Sequence, residues 1–447
     1  MRADAPPGAA TGARAVLGEL ADELVEHDAD LVSSDPLAWP GYDAQLARAR
    51  ARSGEPESVV SGEGRVGATR VVLAAFDFAF MGGSMGEAGG RKIARAFRRA
   101  AEAGLPVVSL HSSGGCRMQE GMKALVQMQR IAAATHVLRE AALPHVAVLL
   151  GPTTGGAWAS IAAGADVIVS VPEATAAFAG HRVRDGATPA SIDESVRSGQ
   201  VDLVVAREEL ALTLATLLGL LVPGERELPP ADVPTALGSA DLPDDGWEAV
   251  ERARSIERSR AAAYLDAYFD VRLPLSGDRA GGCDPGMLCG VGRRAGTPIA
   301  FVAQTGGANT PAGFRTAARV VRLADRLGLP VLTLIDTPGA ANDEAAEAGA
   351  IGPAIAEAFA AIAQARVPVT SLVIGEGGSG GALALASHTE LWITPDAYFA
   401  VIAPESAAAI LKLPQDEAPE VAERMRLRPQ DLVELGVVRG IAPRLDA

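Results

Sequence analysis

Short apolar runs alternate with longer amphipathic stretches along most of this chain. Residues 94–104 place apolar side chains at helical spacing, and 105–110 form a mainly apolar run of strand length. Residues 119–142 are again helical in pattern, and 145–150 make a second buried-strand run. The order then recurs, with a helix over 315–328, a strand over 331–335, a helix over 355–365 and a strand over 369–374. Runs without polar alternation fit strands covered on both faces. Strands alternating with helices in this way predict an α/β fold.

The recurrence is tight in spacing. Gly104-Leu-Pro106-Val-Val-Ser-Leu matches Gly328-Leu-Pro330-Val-Leu-Thr-Leu at an offset of 224 (330 − 106). Pro144 and Pro368 keep that offset, as do Gly82-Gly83 and Gly306-Gly307. Gly155-Gly156 matches Gly380-Gly381 at 225, and Pro172 matches Pro395 at 223. Five matches at near-constant offset predict two copies of one domain. The first copy spans 56–222 and the second 247–447. Residues 223–246, rich in Pro, Asp and Gly, read as a linker, and 1–55 as a polar, Ala-rich helical extension.

Composition narrows the function class. The 447 residues, 48% of them apolar, suffice for two well-filled cores. A formal net charge of −15 disfavours a broad nucleic-acid surface. Lysine occurs only at 92, 123 and 412, so arginine carries nearly all positive charge. The three cysteines form no C-x-x-C pair and are too few for a four-cysteine zinc site. Their scatter fits a reducing cytoplasm. Residues 1–12 show no apolar signal core, and the most apolar helical stretch, 210–222, is too short to span a bilayer. The expectation is a soluble cytoplasmic protein that binds neither membrane nor nucleic acid.

Candidate chemistry lies in four glycine-rich turns that follow strands: Ser113-Gly114-Gly115-Cys116-Arg117, Pro152-Thr-Thr-Gly155-Gly156, Asp336-Thr-Pro-Gly339 and Gly377-Gly-Ser-Gly380-Gly381. Paired glycines let a ligand approach the backbone with no Cβ in the way. A helix that follows presents unpaired N–H groups and the positive end of its dipole. Together they suit an oxyanion hole. Ser84 and Ser379 each fall in a G-x-S-x-G pattern, but at different points of the repeat, so they are not one duplicated nucleophile. The six histidines show no metal-ligand spacing; His111 and His181 lie near the turns, whereas His145 begins an apolar strand. No lysine follows a glycine, which removes the P-loop pattern.

These motifs, together with Phe76-Asp-Phe-Ala-Phe-Met-Gly-Gly-Ser-Met-Gly86, Phe178-Ala-Gly-His-Arg182, Gly277-Asp-Arg279 and Ile402-Ala-Pro-Glu405, resemble the carboxyltransferase component of bacterial acetyl-CoA carboxylase. The β and α subunits would be fused in that order. The resemblance implies two crotonase-type (ββα spiral) domains. It implies that backbone N–H groups of Gly155 and Gly156, and of Gly380 and Gly381, stabilise an acyl-CoA enolate and the ureido oxygen of biotin. Gly82, Gly83, Gly114, Gly115, Arg117, Arg182 and Gly339 become substrate-binding residues. The implied reaction moves CO2 from carboxybiotin to acetyl-CoA or another short acyl-CoA, giving malonyl-CoA for fatty acid biosynthesis, with no side-chain nucleophile and no metal. A malonyl-thioester decarboxylase of the same fold is the alternative. Lys123 follows a methionine but lacks the second one of a biotin-attachment motif, so a separate biotin carboxyl carrier protein and biotin carboxylase are implied. A homodimer or higher homo-oligomer is implied too. The chain departs from the pattern where residues 301–311 lack basic side chains, leaving Arg315 nearby, and where Cys116 and Trp158 stand beside the turns.

Overall fold

The computed structural model describes residues 12–178, 191–222, 228–239 and 241–444. The chain divides into two compact units, Met1–Val222 and Pro223–Ala447.

Unit 1 is built on eight strands: β1 (Asp22–His27), β2 (Val59–Val66), β3 (Thr69–Phe76), β4 (Val107–Ser113), β5 (His145–Thr154), β6 (Val167–Ser170), β7 (Thr175–Ala177) and β8 (Leu203–Val204). They lie in the order β1-β2-β3-β4-β5-β6-β8, with β7 beside β5. Pairing is antiparallel from β1 to β3 and parallel beyond. Unit 2 repeats the plan with β9 (Val271–Pro274), β10 (Met287–Arg294), β11 (Thr297–Gln304), β12 (Val331–Thr337), β13 (Val369–Gly378), β14 (Leu391–Ile393), β15 (Tyr398–Ala400) and β16 (Gly440–Ile441). Their order is β16-β14-β13-β12-β11-β10-β9, with β15 beside β13.

The central strands β4 and β12 are buried at every residue, because helices cover parallel strands and no alternation is needed. The covering helix Glu87–Ala103 turns Ile93, Ala96, Phe97 and Ala100 inward and ends at Gly104, whose φ of +67° closes its C-terminus. Its counterpart Pro311–Leu327 opens with proline, pre-set for a first helical turn, and ends at Gly328 with φ +73°. These two helices match end to end at the offset of 224.

Three sequence expectations change. Residues 13–53 are not a free extension: β1 pairs with β2, and the helix Tyr42–Ser53 buries Tyr42, Leu46 and Ala49. The helical run over 119–142 is broken by Gly121, whose φ of +53° separates a short turn from the helix Gln127–Glu140. Within the expected linker, Ala231 and Ala236 join the core of unit 2, Thr370 donates to Ala231 O, and the Ala236 N–H donates to Pro443 O. The apolar helix Leu210–Leu221 buries six of its leucines inside unit 1. No helix among the described residues is long and apolar enough to cross a membrane.

Candidate active site

The glycine turns gather where the parallel strands end. In unit 1 three of them are stitched together. Gly82 and Gly83 both adopt left-handed φ, and a Cβ on Gly83 would strike Ser112 O. The Gly114 N–H donates to Gly82 O at 2.8 Å. Ser113 Oγ donates to Gly83 O at 2.6 Å and accepts from the Gly115 N–H at 3.2 Å. Met85 N–H donates to Gly115 O, and Arg117 N–H to Met85 O, each at 2.8 Å. A Cβ built on Gly115 would lie 3.5 Å from Gly156 N, so this loop runs beside the third turn.

Unit 2 repeats most of these bonds; the Gly114-to-Gly82 bond has no counterpart, because Pro338 takes the place of Gly114 and has no N–H. Thr337 stands for Ser113: its hydroxyl lies 2.8 Å from Gly307 O and accepts from the Gly339 N–H at 3.1 Å. Asn309 stands for Met85, with Asn309 N–H to Gly339 O at 3.4 Å and Ala341 N–H to Asn309 O at 2.9 Å. A Cβ on Gly381 would lie 2.5 Å from Ala340 N, so the turns again run side by side.

The repeat corrects the matching of the last turn. Ser113 pairs with Thr153 in unit 1 and Thr337 with Gly377 in unit 2, both at 224. The residue equivalent to Gly155 is therefore Ser379, and both hold φ of +55°. Gly156 then corresponds to Gly380, and Ala157 to Gly381. The 225 offset in the sequence aligned look-alike glycines one residue out of step.

The expected donors are also redistributed. The Gly155 N–H donates to Phe178 O at 3.0 Å, so this glycine supplies the left-handed turn from strand to helix rather than a vacant amide. Gly156 is the next residue of the short helical turn Gly155–Ala157, in which first-turn amides have no intrahelical acceptor. The turn widens into a π-helical stretch over Trp158–Ala162 with Trp158 buried. In unit 2, Gly381 is buried and its carbonyl accepts from Gln304 Nε2 at 3.0 Å. Gly380 has open space where a Cβ would be. Cys116 and Ala340 occupy matching positions beside these turns, each bridged to the strand-like loop opposite, Met85 and Asn309 respectively. Cys116 Sγ lies against Gly156, and partial burial pushes its thiol pKa up, keeping it protonated.

Arg117 does not face a ligand. Its side chain is fully buried between Glu57, at 2.5 Å, and Glu120, at 2.9 Å. Ser33, Tyr42 and Ser58 hydroxyls and the Ser84 carbonyl complete its hydrogen bonds, and Phe80 lies under the guanidinium. Burial alone would raise the Glu57 pKa; the charge and hydrogen bonds of Arg117 outweigh it and hold it below the usual carboxylate range. Arg117 thus braces the loop carrying Gly114 and Gly115. Ser84 Oγ accepts from Arg117 Nε at 3.3 Å and belongs to this brace. His111 is also internal: Ser109 Oγ bridges it to His145 at 2.7 Å on each side, and burial pushes both imidazoles down to about 3. Arg182 and His181 lie outside the described residues.

Two cations that the sequence did not single out reach the unit 2 turns. Arg258 donates to Asp336 at 2.5 Å and to Ile374 O, and Arg260 reaches the other oxygen of Asp336 at 3.3 Å. The Glu376 N–H also donates to Asp336, tying β12 to β13 just before the Ser379–Gly381 turn. The nearby Arg315 is committed to Asp278 at 2.7 Å and to Gly349 O.

Comparison with known proteins agrees with this architecture. Residues 244–444 match the family model described as acetyl co-enzyme A carboxylase carboxyltransferase-like. A Salinispora tropica protein, acetyl-coenzyme A carboxylase carboxyl transferase subunits beta/alpha, is 40% identical over 439 residues, covering 92% of this chain and 78% of that protein. A Mycobacterium bovis protein named "Probable biotin-dependent acyl-coenzyme A carboxylase beta3 subunit" is 35% identical over 92% of this chain and 85% of its own length. Among solved structures, the transcarboxylase 12S hexamer with hydrolysed methylmalonyl-coenzyme A bound superposes with a TM-score of 0.81 at 22% identity, covering 98% of this chain and 87% of that one.

Proposed function

The chain belongs to the carboxyltransferase family of biotin-dependent acyl-CoA carboxylases, and from that premise we propose that it transfers the carboxyl group of carboxybiotin, borne on a separate carrier protein, to acetyl-CoA to give malonyl-CoA. The observation that carries this reading is the twofold occurrence of the stitched turns, each with one helix-start amide beside one loop amide. In unit 1 the amides of Gly156 and Cys116 hold the thioester oxygen as the acyl α-carbon loses its proton and negative charge moves onto that oxygen. In unit 2 the amides of Gly380 and Ala340 hold the ureido oxygen of the carrier's biotin as the carboxyl group departs. Fixed donors aimed at oxygens that gain charge act without reorganising at the moment of reaction. Gly82, Gly83, Gly114 and Gly115, and Gly339 in unit 2, keep the surrounding backbone free of side chains.

Acetyl-CoA is proposed as acceptor because Cys116 and Met128 crowd the Gly156 turn and favour a short acyl group. A biotin carboxyl carrier protein and a biotin carboxylase supply the donor, and the product serves fatty acid synthesis in the cytoplasm. The chain acts as a homodimer or higher homo-oligomer; exposed Met118, Met122 and Leu125 on unit 1, and Val401, Ile410 and Leu411 on unit 2, support a further buried contact. The test uses the purified chain with carboxybiotinylated carrier and a panel of acyl-CoAs. Malonyl-CoA should form fastest, from acetyl-CoA. No carboxylated product from any short acyl-CoA refutes the proposal, and CO2 release from malonyl-CoA without carrier would instead mark a decarboxylase.

A further inference from the structure

The two sets of turns share their backbone but not their charge. In unit 2 the buried carboxylate of Asp336 serves two arginines. Arg258 is nearly buried and makes the tighter contact, 2.5 Å to Oδ1, while also holding Ile374 O and Ala253 O. That single ion pair already balances the carboxylate. Arg260 reaches Oδ2 at only 3.3 Å, its other hydrogen bond among the described residues is to Ser255 O at 3.5 Å, and its side chain is 37% exposed. Its guanidinium lies over Gly306, where a Cβ would collide with Nη1. Gly306 belongs to the turn bonded through Thr337 and Asp336 to the Gly339 loop. Unit 1 has a neutral side chain at the matching place: Ser112 stands where Asp336 stands, and a Cβ on Gly82, the match of Gly306, would meet nothing within 4 Å.

A second guanidinium on one balanced carboxylate leaves positive charge and unused N–H donors facing the turn. We propose that Arg260 is a substrate-binding residue that receives an anionic group, a carboxylate or a phosphate, of the substrate docked at the unit 2 turns. The forked donors of arginine match either oxyanion in a bidentate fashion. The inference deepens the carboxyltransferase reading, in which unit 2 meets a carboxylated donor and unit 1 a neutral thioester. The positive charge missing from residues 301–311 would thus come from a different segment of the same unit.

The two sources of the anion are separated by kinetics on the full chain with R260Q and R260K. If Arg260 holds the transferable carboxylate, R260Q raises KM for the carboxybiotinylated carrier roughly 10- to 100-fold, the range for loss of a charge-assisted hydrogen bond. The increase would then be the same with acetyl-CoA and with acetyl-pantetheine as acceptor. If it holds a CoA phosphate, KM rises for acetyl-CoA and not for acetyl-pantetheine. In both cases kcat and the thermal midpoint stay close to wild type, because Arg258 still balances Asp336, and R260K recovers part of the loss. Unchanged KM for both substrates, or a fall in kcat that tracks a lower thermal midpoint, overturns the proposal. Should the wild-type chain turn over no acyl-CoA, the carboxyltransfer reading falls separately. Calorimetric titration with coenzyme A and with carboxybiotinylated carrier then decides: weaker binding of either to R260Q upholds Arg260, and equal binding of both refutes it.

Discussion

Replacing Gly156 by alanine probes a close contact between two of the unit 1 turns. The added Cβ would lie 2.6 Å from Cys116 Sγ and 3.0 Å from Met128 Sδ. An unstrained contact of this kind needs about 3.6 Å, so the nearer sulfur must retreat by roughly 1 Å. Met128 ends in a flexible thioether and can swing aside. Cys116 is confined, because Met85 bonds to Gly115 O on one side and to Arg117 N–H on the other. The strain is therefore relieved in the loop that carries the Cys116 amide. A 1 Å misplacement of a catalytic group costs on the order of 100-fold in rate, similar to losing one oxyanion donor. Gly156 has no left-handed φ, so alanine there adds no backbone strain and the protein should fold.

The assay is kcat for carboxyl transfer by wild type, G156A, C116A and the double variant, with thermal midpoints alongside. G156A should fall by about 100-fold, and C116A in its background should restore activity to within about tenfold of wild type. A G156A enzyme as active as wild type refutes the argument. So does a double variant no better than G156A, since the sulfur would then not be what transmits the strain.

Other substitutions separate ligand contact from packing. G380A points into open space and should keep the thermal midpoint while losing transfer activity, whereas G381A meets the backbone at Ala340 and should cost about 1–3 kcal/mol by urea unfolding; the opposite order would contradict the matching of Gly380 with Gly156. S379G removes a left-handed φ from a non-glycine residue and should stabilise the protein by about 1 kcal/mol, so a lower urea midpoint counts against it. R117M strands the buried Glu57 carboxylate and should cost about 3–5 kcal/mol at pH 7. In the wild type the Glu57 pKa lies below its unfolded value, so its stabilisation is present above that value and is lost as pH falls through the lowered one. Without Arg117 burial raises it instead, so the gap between the two proteins should narrow from pH 7 to pH 5, and a constant gap refutes the assignment. His111 and His145, near 3 when folded, should show no imidazole titration by NMR between pH 5 and 8. Their contribution to stability is complete above their unfolded pKa and declines below it by about 1.4 kcal/mol per pH unit for each ring.

Much of the architecture was legible because burial leaves a local trace. Strands β4, β5, β12 and β13 carry mainly apolar runs, interrupted by small hydroxyl residues such as Ser109, Thr333 and Ser371, and the helices before β4 and β12 end at glycines that mark their C-termini. The turns proposed as the site were legible as glycine clusters. Their residue-by-residue roles were not, because these depend on strand register and on partners distant in sequence. Gly155 and Gly380 look alike in the sequence, yet the pairing of β5 with β4 and of β13 with β12 aligns Gly155 with Ser379. Arg117 beside a glycine turn suggests an anion ligand. Its actual partner Glu57 lies 60 residues earlier, in a stretch that looks like polar surface. The serine and tyrosine that complete the site of Arg117, Ser33 and Tyr42, come from the segment read as an extension. Arg258 and Arg260 precede Asp336 by 78 and 76 residues and carry no motif of their own.

Duplication explains why the two units share a backbone scaffold, and divergence of the side chains beneath it is what would let that scaffold serve the two proposed substrates. A backbone amide pair binds any oxygen that gains negative charge and does not distinguish a thioester from a urea. Discrimination has to come from groups around the pair. At the place where unit 1 has the neutral hydroxyl of Ser112, unit 2 has Asp336 with Arg258 and Arg260. A unit charge about 5 Å from a carboxylate contributes on the order of 3 kcal/mol at an effective dielectric constant near 20. That is ample to favour a carboxylated donor in one unit over the other. The same charge placed at Ser112 would favour enolisation and carboxylate binding together, and a substrate meant to leave as a carboxylated product would then be held. In the proposed reaction, charge on one side of the duplication and neutrality on the other match the direction of transfer, from an anionic donor to an acceptor that starts uncharged at its reacting end.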